Sequence, residues 1–123
     1  MNINLIKQEE SDGCVVACVA MLLGLAYKEA GILFKEIPVQ DRDTMRVLTQ
    51  KNIYCEPIYG VSNLFYPDNI YMLGVASLNF METSHMIIMT VDKKGNAKVF
   101  DPSTKKTHKF ISEYNVVCSF QIW

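Results

Sequence analysis

The chain has 123 residues, half of them hydrophobic and a fifth charged, with a formal net charge of −1. That length supports one core and a single domain over 1–123, and that balance excludes a disordered or polyelectrolyte chain. The lysines are scattered. The densest basic cluster, Lys105 and Lys106 with His108 and Lys109, is too small for a phosphate-tracking surface and reads as a solvated turn, so no nucleic-acid partner is expected.

The N-terminus lacks the charged-then-apolar pattern of an export signal. The longest apolar run, Cys14 to Tyr27, is shorter than the about 20 residues needed to cross a bilayer. The expectation is a protein without a membrane segment, located in the cytoplasm. Four cysteines, Cys14, Cys18, Cys55 and Cys118, are then free thiols rather than a disulfide framework. Their spacing offers no zinc knuckle, so neither a metal nor a cofactor is expected. Most of them read as small core residues.

In chain order, Ser11, Asp12 and Gly13 form a turn cluster in which Ser11 or Asp12 is placed to cap the next helix. From Cys14 to about Gly24 nearly every residue is apolar, as in a central helix surrounded by protein. Tyr27 to about Ile37 has helical spacing and stops at Pro38. Asp41 to Lys51 reads as a third helix with Met45, Leu48 and Val47 inward. Ile53 to Ile58 is an edge strand, because Pro57 cannot serve a central one. Gly60 to Asn69 is a loop whose Leu64, Phe65 and Tyr66 either line a substrate groove or tuck onto the domain. Ile70 to Phe80 is a strand buried on both faces. His85 to Val91, Ala97 to Asp101 and Val116 to Trp123 complete the β part, the last with Val116, Cys118, Phe120 and Ile122 on one face and either internal or pairing at an edge. Helices followed by antiparallel strands make an α+β domain.

Asp92-Lys93-Lys94-Gly95-Asn96 has the chemistry of a type I turn closed by a left-handed glycine. Such a loop pairs Asp92 with Asn96 and brings Ile87 opposite Asp101. His85, Ile87, Met89 and Val91 then share an inner face with Ala97, Val99 and Asp101. His85 and Asp101 become diagonal neighbours about 7 Å apart at the backbone. A two-residue turn would slip the register by one and separate them. A buried histidine is ordinarily a core residue with a satisfied hydrogen bond. A carboxylate beside it suggests more, since an unpaired buried charge is costly. Asp101 then accepts from one ring nitrogen and leaves the other for a partner.

Cys14 opens the apolar helix, where the first-turn amides and the positive end of the dipole favour thiolate. A neighbouring imidazolium would complete an activated pair. Gln8 lies six residues upstream, and its amide is placed to join the Cys14 backbone N–H in holding an oxyanion, a contribution of about 3 kcal/mol in comparable sites. Cys18, one turn deeper, reads as core, and so do Cys55 and Cys118 in their strands. His108 reads as an exposed turn residue.

The ordered set of Gln8, Cys14 opening an apolar helix, Ser84-His85-Met86-Ile87-Ile88 and Val99-Phe100-Asp101-Pro102 resembles the papain-like cysteine peptidases. It is most similar to the bacteriocin-processing branch, whose transporter-linked members remove leader peptides after a double glycine. The resemblance spans Gln8 to Pro102 and implies a papain-like fold, with an N-terminal central helix packed on an antiparallel sheet. It also implies a peptide or protein substrate, Cys14 as nucleophile, His85 as base, Asp101 as orienter and Gln8 as oxyanion residue. Two departures stand out. The family commonly has Asp-Cys-Gly, whereas Asp12-Gly13-Cys14-Val15 places the glycine ahead of the cysteine. This sequence carries no transporter segment either, so the leader-peptide substrate does not transfer with the motif.

Three readings compete. One is hydrolysis of a peptide or isopeptide bond through a thioester. A second is other acyl chemistry on the same triad, deamidation or acyl transfer. The third is a degenerate peptidase domain that only binds a peptide or protein.

Overall fold

The computed structural model describes residues 2–34, 39, 41–58, 65–76, 85–104 and 107–123. The readings that rest on Ile37, Pro38, Gly60, Leu64, Phe80, Ser84, Lys105 and Lys106 lie outside them. Three helices, α1 (Cys14–Leu23), α2 (Tyr27–Gly31) and α3 (Asp41–Gln50), precede five strands. These are β1 (Cys55–Ile58), β2 (Asn69–Val75), β3 (His85–Val91), β4 (Ala97–Phe100) and β5 (Val116–Ile122). The strands form one sheet in the order β1-β5-β2-β3-β4, every neighbouring pair antiparallel. The architecture is α+β.

Helix α1 is apolar because it is enclosed: Val16, Ala17, Cys18, Val19 and Ala20 are all 0% exposed. Burial of one such valine contributes about 1.5 kcal/mol or more. The helix ends where Gly24 takes a left-handed φ of 68° and donates its N–H to Ala20 O, a conformation that favours glycine. Its start differs from expectation. Gly13 is the N-cap residue and no side chain caps the helix, so neither Ser11 nor Asp12 has that role; the Gly13 N–H turns back to Glu10 O at 3.1 Å. Helix α2 is shorter than its spacing suggested; past Gly31 the chain continues in tight turns in which Leu33 N bonds Ala30 O and Phe34 N bonds Gly31 O. On α3 the buried residues are Thr44, Val47 and Leu48, while Met45 is only half-buried. Val47 and Leu48 are thus buried as expected, and Thr44 takes the inward place read for Met45.

The sheet is buried on both sides. One face, with Met72, Met86, Ile88, Phe100, Phe120 and Ile122, packs beneath the helices. The other gathers Tyr71, Leu73, Val75, Ile87, Met89 and Val91 under Tyr114. The face shared by Ile87, Met89 and Val91 is thus apolar as expected, but it is covered by the segment before β5 and not by α1. Pro57 sits on β1, which is an edge strand, and β5 is internal, between β1 and β2.

Strand β5 breaks its expected alternation. Its pairing with β2 shifts between Gly74 and Val75, so that Gly74 faces Cys118 and Val75 faces Val116. This bulge sends Val116 to the Tyr71 face while Phe120 and Ile122 stay beneath the helices, as an inserted residue must. Cys118 is exposed, unlike the buried Cys18 and Cys55. It lies over Gly74, where an added Cβ would overlap its sulfur.

Candidate active site

The β3–β4 hairpin has the register expected from its turn: Ile88 opposes Phe100, Met89 opposes Val99 and Val91 opposes Ala97. Asp92 N bonds Asn96 O at 3.0 Å, and Gly95 takes a φ of +87°. The Asp92 carboxylate accepts from Lys94 N and Asn96 N at 2.9 and 2.8 Å, which locks the loop. At the far end of the hairpin, one residue past β4, Asp101 meets His85. The Nε2–Oδ1 distance is 2.7 Å, and both residues are 4% exposed.

The Asp101 carboxylate is fully engaged. Ser103 N donates to Oδ1 at 2.8 Å and the Tyr114 hydroxyl to Oδ2 at 2.6 Å. Burial pushes this carboxyl up. The hydrogen bonds from His85, Tyr114 and Ser103, together with the histidine charge, outweigh it and hold Asp101 below the usual carboxylate range. For His85, burial alone would lower the pKa. Hydrogen bonds to Asp101 and to Cys14, and the charges of both, raise it instead to about 9. With Nε2 given to Asp101, Nδ1 is the nitrogen left for the thiol, so the imidazolium bridges the two acidic groups.

Cys14 is half-buried and opens α1. The same helix is seated on the start of β3 by Cys18, whose thiol donates to Met86 O at 3.4 Å. Burial, then the charges of Cys14 and Asp101, push the Cys18 thiol well up. Cys18 therefore stays a neutral core group one turn behind Cys14. The glycine ahead of Cys14 has a steric cause. A Cβ on Gly13 would overlap the Tyr27 hydroxyl and would lie 3.0 Å from Glu10 Oε2. Tyr27 donates to the Glu10 carboxylate across this spot. The Gly13 φ of −94° is open to any residue, so the requirement is space rather than backbone freedom.

Gln8 is 8% exposed and lies beside the loop that leads to Cys14. Its backbone N–H bonds Pro102 O at 2.9 Å. Its Nε2 donates to Glu10 O at 2.9 Å and Ser11 O at 3.0 Å, using both amide hydrogens. Oε1 is buried and finds no partner among the described residues. In this arrangement the amide braces residues 10–13 and does not present a donor beside the thiol. Lys7 adds a second tie, with Nζ 2.9 Å from Ser103 O and 3.3 Å from Asp101 O.

Of the residues singled out from sequence, Cys14, His85 and Asp101 come together, His85 bonded to Asp101 and near enough to Cys14 for the thiol to act on its ring, and Gln8 lies beside them with its amide engaged elsewhere. Tyr114 and Lys7 join the site without a sequence signal. Tyr114 is thirteen positions from Asp101 with no pattern in between; Lys7 bonds the backbone carbonyls of Asp101 and Ser103, which leave no signature in residue type. His108 is half-buried, its ring edge-on to Tyr114 at 5.2 Å, and so is not simply an exposed turn residue. Phe65 tucks against Tyr71 at 5.0 Å, while Tyr66 is 63% exposed. Among the described residues, no group of three His, Cys, Asp or Glu could hold a metal ion, and no helix is long and apolar enough to cross a membrane. No known family model matches the sequence, and no curated protein does either.

Proposed function

We propose that the chain is a cysteine hydrolase of papain-like architecture, cleaving a peptide or isopeptide bond through a thioester on Cys14. One observation carries the reading. Residues 14, 85 and 101, remote in sequence, are brought together: His85 bonds Asp101 and lies near enough to Cys14 for the thiol to raise its pKa, with the thiol at a helix N-terminus and the carboxylate held by three donors. The helix that carries the cysteine packs against the antiparallel sheet that carries the histidine and leads into the aspartate, which supports the papain-like assignment.

The chemistry follows from these groups. The Cys14 thiolate attacks the carbonyl carbon, and the new oxyanion is held by the amides at the start of α1. His85, protonated at neutral pH, gives its Nδ1 proton to the leaving amine, and the C–N bond breaks to leave a thioester. Neutral His85 then takes a proton from water, the hydroxide displaces the thiolate, and the acid leaves. Asp101 stays ionised throughout and holds the ring by Nε2. For Gln8 to join the oxyanion site, its amide must turn away from Glu10 O and Ser11 O.

The test is mass spectrometry of unstructured polypeptides incubated with the protein. Wild type should generate new chain termini. Cys14→Ala should lose turnover by on the order of a millionfold while staying folded. Cleavage that persists in Cys14→Ala would remove the proposal. A gain of one mass unit without chain cleavage would point to deamidation on the same triad.

The engaged Gln8 amide and the branched Val15 directly after Cys14 favour a second reading, a domain that binds a peptide or protein without turnover. Under it, a captured peptide stays bound, uncleaved, to wild type and Cys14→Ala alike.

A further inference from the structure

We infer that Tyr114 is a positioning residue of the site: its hydroxyl fixes the Asp101 carboxylate in the orientation that engages His85. Its consequence for catalysis rests on the hydrolase reading above; the geometry does not.

Tyr114 is 8% exposed, its ring set among Leu73, Val75, Ile87 and Met89 on the face of the sheet away from the helices. A 3-10 turn, Ile111–Glu113, delivers it there. Tyr114 N bonds Ile111 O at 3.0 Å, and the Glu113 carboxylate accepts from Lys109 N and Phe110 N at 3.2 and 3.0 Å. The ring is thus held by packing and by backbone before it touches Asp101, which is what a preorganised support requires.

Its hydroxyl has one hydrogen and two acceptors in reach, Asp101 Oδ2 at 2.6 Å and His108 O at 3.1 Å. The shorter contact, to the charged group, takes the hydrogen. His108 N donates to the same oxygen at 2.9 Å, so the oxygen is satisfied as acceptor too. Oδ1 of Asp101 already serves His85 and Ser103 N. Without Tyr114 the carboxylate would be pinned through one oxygen and free to pivot about its terminal torsion. With it, both oxygens are fixed and the carboxylate plane is set for Nε2. Among the described residues, the groups facing this network are Cys14 and Cys18 from α1, Lys7 at the Asp101 carbonyl, the Glu113 carboxylate, and the His108 ring against Tyr114.

The test pairs NMR titration of the His85 ring with the rate of Cys14 alkylation by iodoacetamide, neither of which needs a substrate. In Tyr114→Phe, which keeps the ring, the His85 midpoint should fall. Alkylation at neutral pH should slow about tenfold, the scale set by losing a hydrogen bond to a charged group. In an Asp101→Asn background the same change should add nothing, because Tyr114 acts through Asp101. A Tyr114→Phe protein that is less stable but has the wild-type midpoint and alkylation rate would overturn the inference, as would full additivity with Asp101→Asn. Should Tyr114→Phe not fold, the wild-type hydroxyl decides: its proton should exchange slowly enough to be seen by NMR, and exchange at the rate of an exposed tyrosine refutes the bond. Absence of cleavage in the substrate assay would dismiss the hydrolase reading and leave these readouts intact.

Discussion

At the scale of single residues the candidate site depends on close approaches that only small or correctly placed groups allow. Gly13 shows this most directly. The Tyr27 hydroxyl and the Glu10 carboxylate meet against its Cα, and a Cβ there would also lie 3.1 Å from Tyr27 Cζ. Tyr27 is 7% exposed and packed in the core beside α1, so its ring cannot swing away at low cost. Gly13→Ala should therefore destabilise the protein by about 1–3 kcal/mol, the usual range for overpacking. Tyr27→Phe, by removing the obstructing oxygen, should recover part of that loss in the double variant. Urea denaturation of the four proteins of this cycle checks it. Equal stability of wild type and Gly13→Ala, or no recovery in the double variant, would mean that the glycine is there for another reason. The placement of glycine before the nucleophile was legible as a sequence feature, but its cause was not, because Tyr27 is fourteen positions away. The engagement of Gln8 was equally hidden. Its partners are the backbone carbonyls of Glu10 and Ser11, and carbonyls carry no residue identity to read.

At the scale of elements, the parts that could be read from sequence are those whose geometry is written locally. The turn from Asp92 to Asn96 determines the β3–β4 register through its own side chain and its own glycine. That register is what brings His85 within reach of Asp101. The bulge in β5 could not be read, since it arises from the meeting of β5 with Gly74 and Val75 of a remote strand. The N-terminal cap of α1 departs from its sequence signal for a related reason: Ser11 and Asp12 have the right chemistry, but the chain reaches the helix through Gly13 with the amide of Gln8 bracing the loop. Gly95 allows a clean test of the hairpin. An added Cβ meets nothing within 4 Å, so the only penalty is its φ of +87°. Gly95→Ala should cost about 1 kcal/mol, and Gly95→Asn distinctly less, because asparagine tolerates left-handed backbone. Denaturation midpoints decide; identical losses for alanine and asparagine would show that the turn is not held by this conformation.

At the scale of the whole molecule, the site is also part of what keeps the fold closed. The segment 101–103 is tied to the N-terminal residues by Lys7 and the Gln8 backbone, to β3 by His85 and to the approach to β5 by Tyr114. A buried ion pair at that junction makes stability depend on pH in a direction that can be worked out. The folded-state pKa of His85 is raised from 6.5 to about 9. Its contribution is therefore complete below pH 6.5 and is lost as pH rises through about 9. Asp101 is lowered, so its contribution is present above the ordinary carboxylate value of about 3.9 and is lost as pH falls through the still lower folded value. The pair is worth most between about pH 4 and 6.5, and the histidine part amounts to a few kcal/mol at full extent. Thermal melts from pH 4 to 10 should show wild type losing stability progressively above pH 6.5. His85→Ala, less stable at neutral pH, should have a flatter alkaline limb. Its curve should approach that of wild type near pH 10, where the wild-type imidazole has lost its proton. Parallel curves for the two proteins across that range would mean that His85 enters the fold uncharged.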